Sequence, residues 1–519
     1  MSEILIEKTN LNWKTPDFKD VLFYFEEISK IPRCSKNEEK IATYLENFGK
    51  ENRLETKRDE NNNVLIKVPA SPTFKNFPTV ILQSHMDIVC EKEAESSHNF
   101  EKDSLKLSYI QENGRSYITA DKTTLGADDG IGMAYMLAVA VSKNISHPPL
   151  ELLFTTDEEK GLTGARKMDE AFISGTYLIN LDSDEEGVII IGCAGGIQID
   201  FKKQFKIEEN KKTGKTEACS VSAPVYSATV FGLLGGHSGT EIHVGRENAN
   251  RTLARFLTAV CDKYSDADLK MMQIEGGNAH NAIPRQAECF FSANISILDL
   301  KKEAEKQAAQ IKADPKFNDS DFQISIREVK TNDPNTSNLT FISTEETKQI
   351  LRFLTSIQTG VFEMSPKIPD FVLVSGNLAT IRTKTEANRF DEKEIKITYS
   401  LRSGNEKKLK DQIQRMAELA EGHNFNFETS NTYNPWEPDF DSPFLKKCQE
   451  TYAQTFQENA KIMSIHAGLE CSVFKEKKPA IQMVSIGPDI IGAHTPSEKL
   501  NLETAEKTWI YLKELLKSF

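Results

Sequence analysis

Thr79-Val80-Ile81-Leu82-Gln83-Ser84-His85-Met86-Asp87 is a short β-branched run that stops abruptly on polar residues. The same texture returns at 151–155, which runs into Thr156-Asp157-Glu158-Glu159, and at 177–180, which runs into Asn180-Leu181-Asp182. Runs of this length and composition read as buried strands, as does 64–68. Around them lie segments with helical spacing. Residues 17–30 put Val21, Leu22, Phe25 and Ile28 on one face, 37–49 do the same with Ile41, Tyr44, Leu45 and Phe48, and 130–143 form an Ala- and Met-rich helix. Strands alternating with helices predict an α/β layer architecture. In such open sheets, ligands collect beyond the carboxyl ends of the strands, so the polar ends of these runs are where chemistry is expected.

Outward from this core the texture changes and then returns. Arg255-Phe256-Leu257-Thr258 recurs as Arg352-Phe353-Leu354-Thr355, and Gly277-Asn278 recurs as Gly376-Asn377. Each Gly-Asn is followed by a strand-like run (288–296; 394–403), a Lys/Glu-rich helix (300–312; 406–421) and another strand (322–328; 424–429). Two copies of a small sheet-plus-helices unit are the natural reading, with chance similarity of helices as the alternative. From 435 the α/β texture resumes, with a helix at 443–456, a strand at 481–486 and a closing helix at 503–516. The expected organisation is one α/β domain built from 1–192 and 433–519. It is interrupted by an insertion at 193–432 whose repeat units span about 220–330 and 340–432.

The chain has 519 residues, too many for one ordinary core, and 64 Lys+Arg against 77 Asp+Glu give a net charge of −13. That field repels nucleic acid and anionic membrane surfaces, so neither is an expected partner. The longest apolar run, 133–141, is about half of the ~20 residues a membrane span needs and reads as a buried helix. The start, MSEILIEKTN, carries Glu3, Glu7 and Lys8 where an export signal would need an apolar core. Eight scattered cysteines form no C-x-x-C pair, so a reduced cytoplasm is expected, with no disulfide framework and no thiolate zinc site.

The polar strand ends carry metal-binding residue types. His85 and Asp87, two apart on an extended segment, share a face, so an imidazole could bind a metal while the carboxylate holds it. An ordinary surface His-x-Asp is the commoner meaning of that pair alone. Thr123-Thr124-Leu125-Gly126-Ala127-Asp128-Asp129-Gly130 places two carboxylates on a Gly-rich turn before a helix, where either could equally be an N-cap. Adjacent Glu158 and Glu159 point in different directions, which would let one hold a metal while the other faces substrate as a base; a solvated acidic turn is the alternative. Asp182 ends another strand, and His494 sits in a loop before the last helix. Imidazole with carboxylate suits Zn²⁺ or Mn²⁺. Five ligands with one bridging carboxylate would hold two ions ~3.5 to 4 Å apart, the spacing of two-metal hydrolytic sites.

Taken in order, H-M-D, T-T-L-G-A-D-D-G-I-G-M-A, D-E-E-K-G, N-L-D-S-D-E-E-G, G-C-A-G-G, G-G-H-S-G, N-A-I-P-R, H-A-G-L-E-C and G-A-H-T-P-S-E resemble the di-zinc peptidase family of aminoacylase and carnosinase, from about residue 17 onward. The resemblance implies a zinc-peptidase catalytic domain with a mixed central sheet flanked by helices, interrupted by an α+β lid/dimerisation domain. It implies two Zn²⁺ per chain, with Mn²⁺ or Co²⁺ as substitutes. His85 and His494 would each hold one ion and Asp128 would bridge them. Glu159 would complete one site and Asp182 the other, Asp87 would orient His85, and Glu158 would be the general base. Asp129 would be a neighbour, not a ligand.

In the insertion, the resemblance implies that His237 stabilises the oxyanion and that Asn281 and Arg402 bind substrate, Arg402 through its forked donors. A turn-stabilising Asn281 and a solvated Arg402 are the alternatives. Glu470 would face the substrate amine, or else be a buried structural carboxylate. The implied activity is cytoplasmic hydrolysis of short peptides, Xaa-His and other unblocked dipeptides. The rivals are an N-acyl amino acid deacylase, a tripeptide aminopeptidase and a non-catalytic metal-binding protein. A doubled insertion permits a monomer, and a homodimer is equally implied.

Overall fold

The structure is a computed structural model that describes residues 13–206, 223–319, 321–329, 340–385 and 392–519. The MSEILIEKTN start and Cys219 bear on the expectations above but lie outside these residues. The chain divides into two compact units, Met1–Cys193 with Trp436–Phe519, and Ala194–Pro435.

The first unit is built on an eight-stranded mixed sheet. At its centre Leu150–Thr155, Val80–His85, Tyr177–Asn180 and Gln482–Ser485 run parallel, while Val64–Val68 and Glu55–Arg58 extend one edge antiparallel. Val188–Cys193 and Lys461–Ile465 form the other edge. The strands are apolar on both faces because both are covered, as parallel sheets require. Ile66, Val80, Leu82, Leu152 and Phe154 join a core that includes Phe25, Tyr135, Trp509 and Leu512. Their neighbours Leu65, Ile81, Leu153 and Leu178 point into a second core with Phe474 and Trp436. One consequence positions the site: parallel strands with His85 opposite Thr155 and Gln83 opposite Asn180 bring three carboxyl ends to one edge of the sheet. A four-stranded sheet that the sequence did not suggest joins Leu107–Glu112 and Arg115–Ala120 to Ile490–Ile491 and Lys499–Asn501.

The second unit has a nine-stranded sheet. Its order is Gln323–Glu328, Val225–Phe231, Ala287–Ser292, Lys270–Gly276, Val372–Thr385, Glu392–Ser403, Gly195–Lys206 and Asn426–Tyr433, with Gly360–Met364 paired beside Val372–Thr385. Helices Ala249–Lys263 and Thr344–Ser356 bury Phe256, Leu257, Phe353 and Leu354, the apolar halves of the two recurring strings, in its core. The strand expected over 288–296 ends at Ser292, because Ser296 caps the next helix by accepting from the Asp299 N–H. Where the two halves of the sheet meet, Gly276 pairs with Ile381, and Gly277 adopts φ +71° with its α-carbon against the Ala379 carbonyl. Gly277→Ala is therefore expected to destabilise the chain by about 1–3 kcal/mol. An unchanged urea midpoint would show that the Ala379 carbonyl moves aside at no cost.

The cysteine expectation needs correction. Cys34 and Cys90 form a disulfide with their α-carbons 5.7 Å apart. A parallel bridge between Cys34 and Ile88 draws the two segments together, a contact that 56 residues of separation hid from the sequence. The other described cysteines, Cys193, Cys261, Cys289, Cys448 and Cys471, are free and buried. Among the described residues, no helix is long and apolar enough to cross a membrane.

Candidate metal centre

All five proposed ligands lie in the first unit, on the segments leaving the parallel strands or the turns facing them. His85 is the last residue of its strand and is buried; Met86 N donates to Thr155 O (2.7 Å) and Leu181 N to Gln83 O (2.9 Å), so the three strand ends stay in register beyond the sheet. His85 Nδ1 donates to the Asp87 carbonyl at 3.1 Å and lies 3.5 Å from its carboxylate, which fixes the tautomer and leaves Nε2 facing the cluster. Nε2 is 2.9 Å from Asp128 Oδ1 and 3.5 Å from Asp182 Oδ1. On the other side, His494 Nε2 is 3.0 Å from Asp128 Oδ2 and 3.1 Å from Glu159 Oε1. Asp128 thus offers one oxygen to each imidazole.

Two groups of three donors, His85/Asp128/Asp182 and Asp128/Glu159/His494, share that one carboxylate, and each group lies within 4.8 Å. The donor chemistry and the shared Asp128 fit two divalent cations with a bridging ligand. Charge points the same way. Burial, then repulsion from neighbours that include Asp128, raises the Asp182 and Glu159 carboxyls above their ordinary range. Hydrogen bonds to Asp128 and Glu159 push His494 up to about 11. Burial alone would depress His85, yet Asp182, Asp128 and Asp87 outweigh it and hold the imidazole well above its usual value. The cluster attracts positive charge, and ligand deprotonation couples metal uptake to proton release.

Glu158 stands beside these two groups, in a third set of donors with His85 and Glu159. Its N–H donates to Asp87 Oδ1 at 3.0 Å, and the Glu159 N–H donates to Asp87 Oδ2 at 3.3 Å, so Asp87 orients the acidic turn as well as His85. Burial, then repulsion from Glu159, Asp182 and Glu470, raises the Glu158 carboxyl well above its normal range, the direction a general base requires. Asp129 behaves as a helix-end carboxylate: it is buried, its Oδ1 accepts from the Gly132 N–H, and burial pushes it up to about 7.

Glu470 is fully buried below the strand ends. Its Oε2 accepts from Gln83 Nε2 and Thr155 Oγ1, both at 2.6 Å, while Gln83 Oε1 accepts from Asn180 Nδ2. This network ties Glu470 to the strands that lead to His85, Glu158 and Asp182, while its Oε1 is buried with no hydrogen-bond partner among the described residues. Sequence reasoning also passed over two buried residues that grip the Asp128 turn. Arg33 donates to the Gly126 and Met86 carbonyls at 2.6 and 2.9 Å, and the Glu498 carboxylate accepts four backbone N–H groups from 125–128. The only sequence signal for Glu498 was its place four residues after His494.

The remaining expected residues lie in the second unit and close to one another. His237 pairs with Ala282 across a two-residue ladder, and Ser238 N donates to the Asn281 carbonyl. Ser400 Oγ donates to the His280 carbonyl, and Arg402 follows on the same strand, where its Nη1 donates to Tyr433 Oη at 2.8 Å.

The description of peptidase family M20/M25/M40 matches residues 81–518. The chain belongs to this family. It is 34% identical over 493 residues, 95% of its length and 96% of the relative's, to a protein of Escherichia coli named cytosol non-specific dipeptidase. It is similar over its whole length to the crystal structure of an aminoacylhistidine dipeptidase from Vibrio alginolyticus, with a TM-score of 0.81, 32% identity and 99% of that chain covered. An aminopeptidase PepT from Bacillus cereus shares the fold at a TM-score of 0.58 and 16% identity, over 96% of this chain and 98% of that one. Within the M20 family, the His/Asp/Glu cluster is a binuclear-type hydrolase site and the chain is a metallopeptidase.

Proposed function

We propose that this M20 member is a cytosolic dipeptidase that cleaves Xaa-His and other unblocked dipeptides with two Zn²⁺ ions. The observation that carries the reading is the shared Asp128, one oxygen towards His85 and the other towards His494, with the Glu158 carboxylate beside them, within reach of His85 and Glu159. Bound there, two divalent ions would supply Lewis acidity to the scissile carbonyl and a nucleophilic water at neutral pH. Glu158 takes the proton of the attacking water and returns it to the leaving amine, a shuttle suited to a carboxyl with a raised pKa.

His237 meets the developing oxyanion in this reading. Its Nδ1 accepts the Thr240 N–H at 3.1 Å, which leaves the proton on Nε2, a donor. Arg402, steadied by Tyr433, takes the substrate carboxylate and Asn281 its peptide group. We further propose that Ala194–Pro435 is a duplicated lid/dimerisation domain through which two copies pair. Supporting the duplication, eight of the nine strands follow a mirrored order about the Lys270–Gly276/Val372–Thr385 seam, although Gly195–Lys206 precedes both expected units and Gly360–Met364 has no counterpart among the described strands.

The test is turnover by the zinc-loaded chain of Xaa-His dipeptides, other dipeptides, their C-terminal amides, tripeptides and N-acetyl amino acids. Cleavage of free dipeptides, lost with chelator, is expected; turnover confined to tripeptides or N-acetyl amino acids would replace the reading. In the same panel, Arg402→Ala should raise KM for free dipeptides roughly 10- to 100-fold, the loss of a charged hydrogen-bond pair. Amides should be nearly unaffected, and an equal effect on both substrate types would remove Arg402 from the carboxylate.

A further inference from the structure

We propose that Glu498 is a positioning residue that locks the His494 loop to the Asp128 turn and so builds the second of the two metal sites; this rests on the di-metal reading above. Leu125–Asp129 is a turn ahead of the regular helix: Gly126 has φ +68°, and Asp128 (φ −78°, ψ 107°) and Asp129 (φ −111°, ψ 38°) are non-helical. The N–H groups of this buried turn need an acceptor from elsewhere. Glu498 supplies it: Oε2 accepts from Leu125 N (2.7 Å) and Gly126 N (2.9 Å), and Oε1 from Ala127 N (2.8 Å) and Asp128 N (3.4 Å). The carboxylate is 1% exposed, and four successive backbone donors surround it. A buried charge gripped in this way is far more than a surface cap.

Glu498 and His494 are the two ends of one tight turn, in which Thr495 N bonds to Gly492 O and Glu498 N to Thr495 O. One end of the turn therefore holds the backbone of Asp128, while the other presents an imidazole 3.0 Å from the Asp128 side chain. From the opposite direction Arg33 ties the Gly126 carbonyl to the Met86 carbonyl beside His85. The His85 side of the cluster thus has its own anchors in Arg33 and in strand pairing. His494 is half exposed and depends on the Glu498 end of its turn for its place. The asymmetry predicts which site fails: without the Glu498 carboxylate, Asp128/Glu159/His494 loosens while His85/Asp128/Asp182 keeps its supports.

The experiment is Co²⁺ titration of the metal-free full-length chain, followed by calorimetry and by the visible absorption of bound Co²⁺. Wild type should take two equivalents; fewer than two would sink the di-metal reading, independently of Glu498. The binding step lost in His494→Ala marks the His494 site. Glu498→Gln presents an NH₂ where an acceptor oxygen stood, and should weaken that marked step ~10- to 100-fold, the range for groups that orient a ligand. The other step and its spectrum should stay within about threefold of wild type by the same reasoning. Glu498→Asp, which keeps the charge but shortens the reach, should give the same selective loss. Equal weakening of both steps, no weakening of either, or loss of the folded circular-dichroism spectrum in both Glu498 variants would overturn the proposal.

Discussion

Asp128→Ala is expected to strip both ions from the chain and to lower kcat/KM by at least roughly a thousandfold, since groups that merely orient a ligand already cost 10- to 100-fold. Asp128 is the one residue common to both donor groups, with Oδ1 2.9 Å from His85 and Oδ2 3.0 Å from His494. Removing it takes a ligand from each site at once. It also leaves Asp182 and Glu159 facing their histidines without the charge that organises them. The backbone turn should survive, because its N–H groups are held by Glu498 and its Gly126 carbonyl by Arg33, none of which involves the Asp128 side chain. The measurement is metal content by elemental analysis after dialysis, with circular dichroism as the check on folding. Two ions retained at wild-type affinity would show that Asp128 is not the bridge.

Glu158→Gln separates chemistry from metal binding. The amide keeps the size of the side chain and removes its ability to accept a proton, so kcat should fall by about 10²- to 10⁴-fold. The five proposed ligands His85, Asp128, Glu159, Asp182 and His494 are untouched, and the backbone bond from Glu158 N to Asp87 does not depend on the side chain. Metal content should therefore remain at the wild-type value, and KM should change little. Activity within tenfold of wild type would reassign the base. Loss of metal together with activity would make Glu158 a ligand, and the pairing of Asp128→Ala with Glu158→Gln distinguishes a dead site from an empty one.

Much of this site was legible because of how parallel sheets work. His85, Glu158, Glu159 and Asp182 follow apolar runs, and parallel pairing brings the ends of such runs together without any knowledge of the loops. The helix Pro443–Phe456 and the strands Val64–Val68 and Tyr177–Asn180 were readable to the residue, because Pro, turn residues or polar stops punctuate them. What escaped depends on long-range partners that leave no periodic trace. Glu498 is one carboxylate among many until its four donors from 125–128 are seen, and Arg33 is an ordinary cation until it is found buried against the Gly126 carbonyl. The bonds that Glu470 accepts from Gln83 and Thr155, 387 and 315 residues away in sequence, leave no trace in its own motif. Cys34 and Cys90 are drawn together by a bridge between Cys34 and Ile88 that leaves no signature in the cysteine spacing.

The separation of 366 residues between Asp128 and His494 has a consequence for how the protein matures in the cell. The segments carrying His85, Asp128, Glu159 and Asp182 leave the ribosome long before the turn that holds His494 and Glu498. The intervening unit, Ala194–Pro435, draws its whole sheet from its own residues and can close on itself during that delay. A nascent chain can thus assemble only the His85/Asp128/Asp182 half of the centre, and a single ion captured there is held without its counterpart. Both groups of donors are present only once residue 494 has been made. Until then Asp128 has a histidine partner on one oxygen and none on the other.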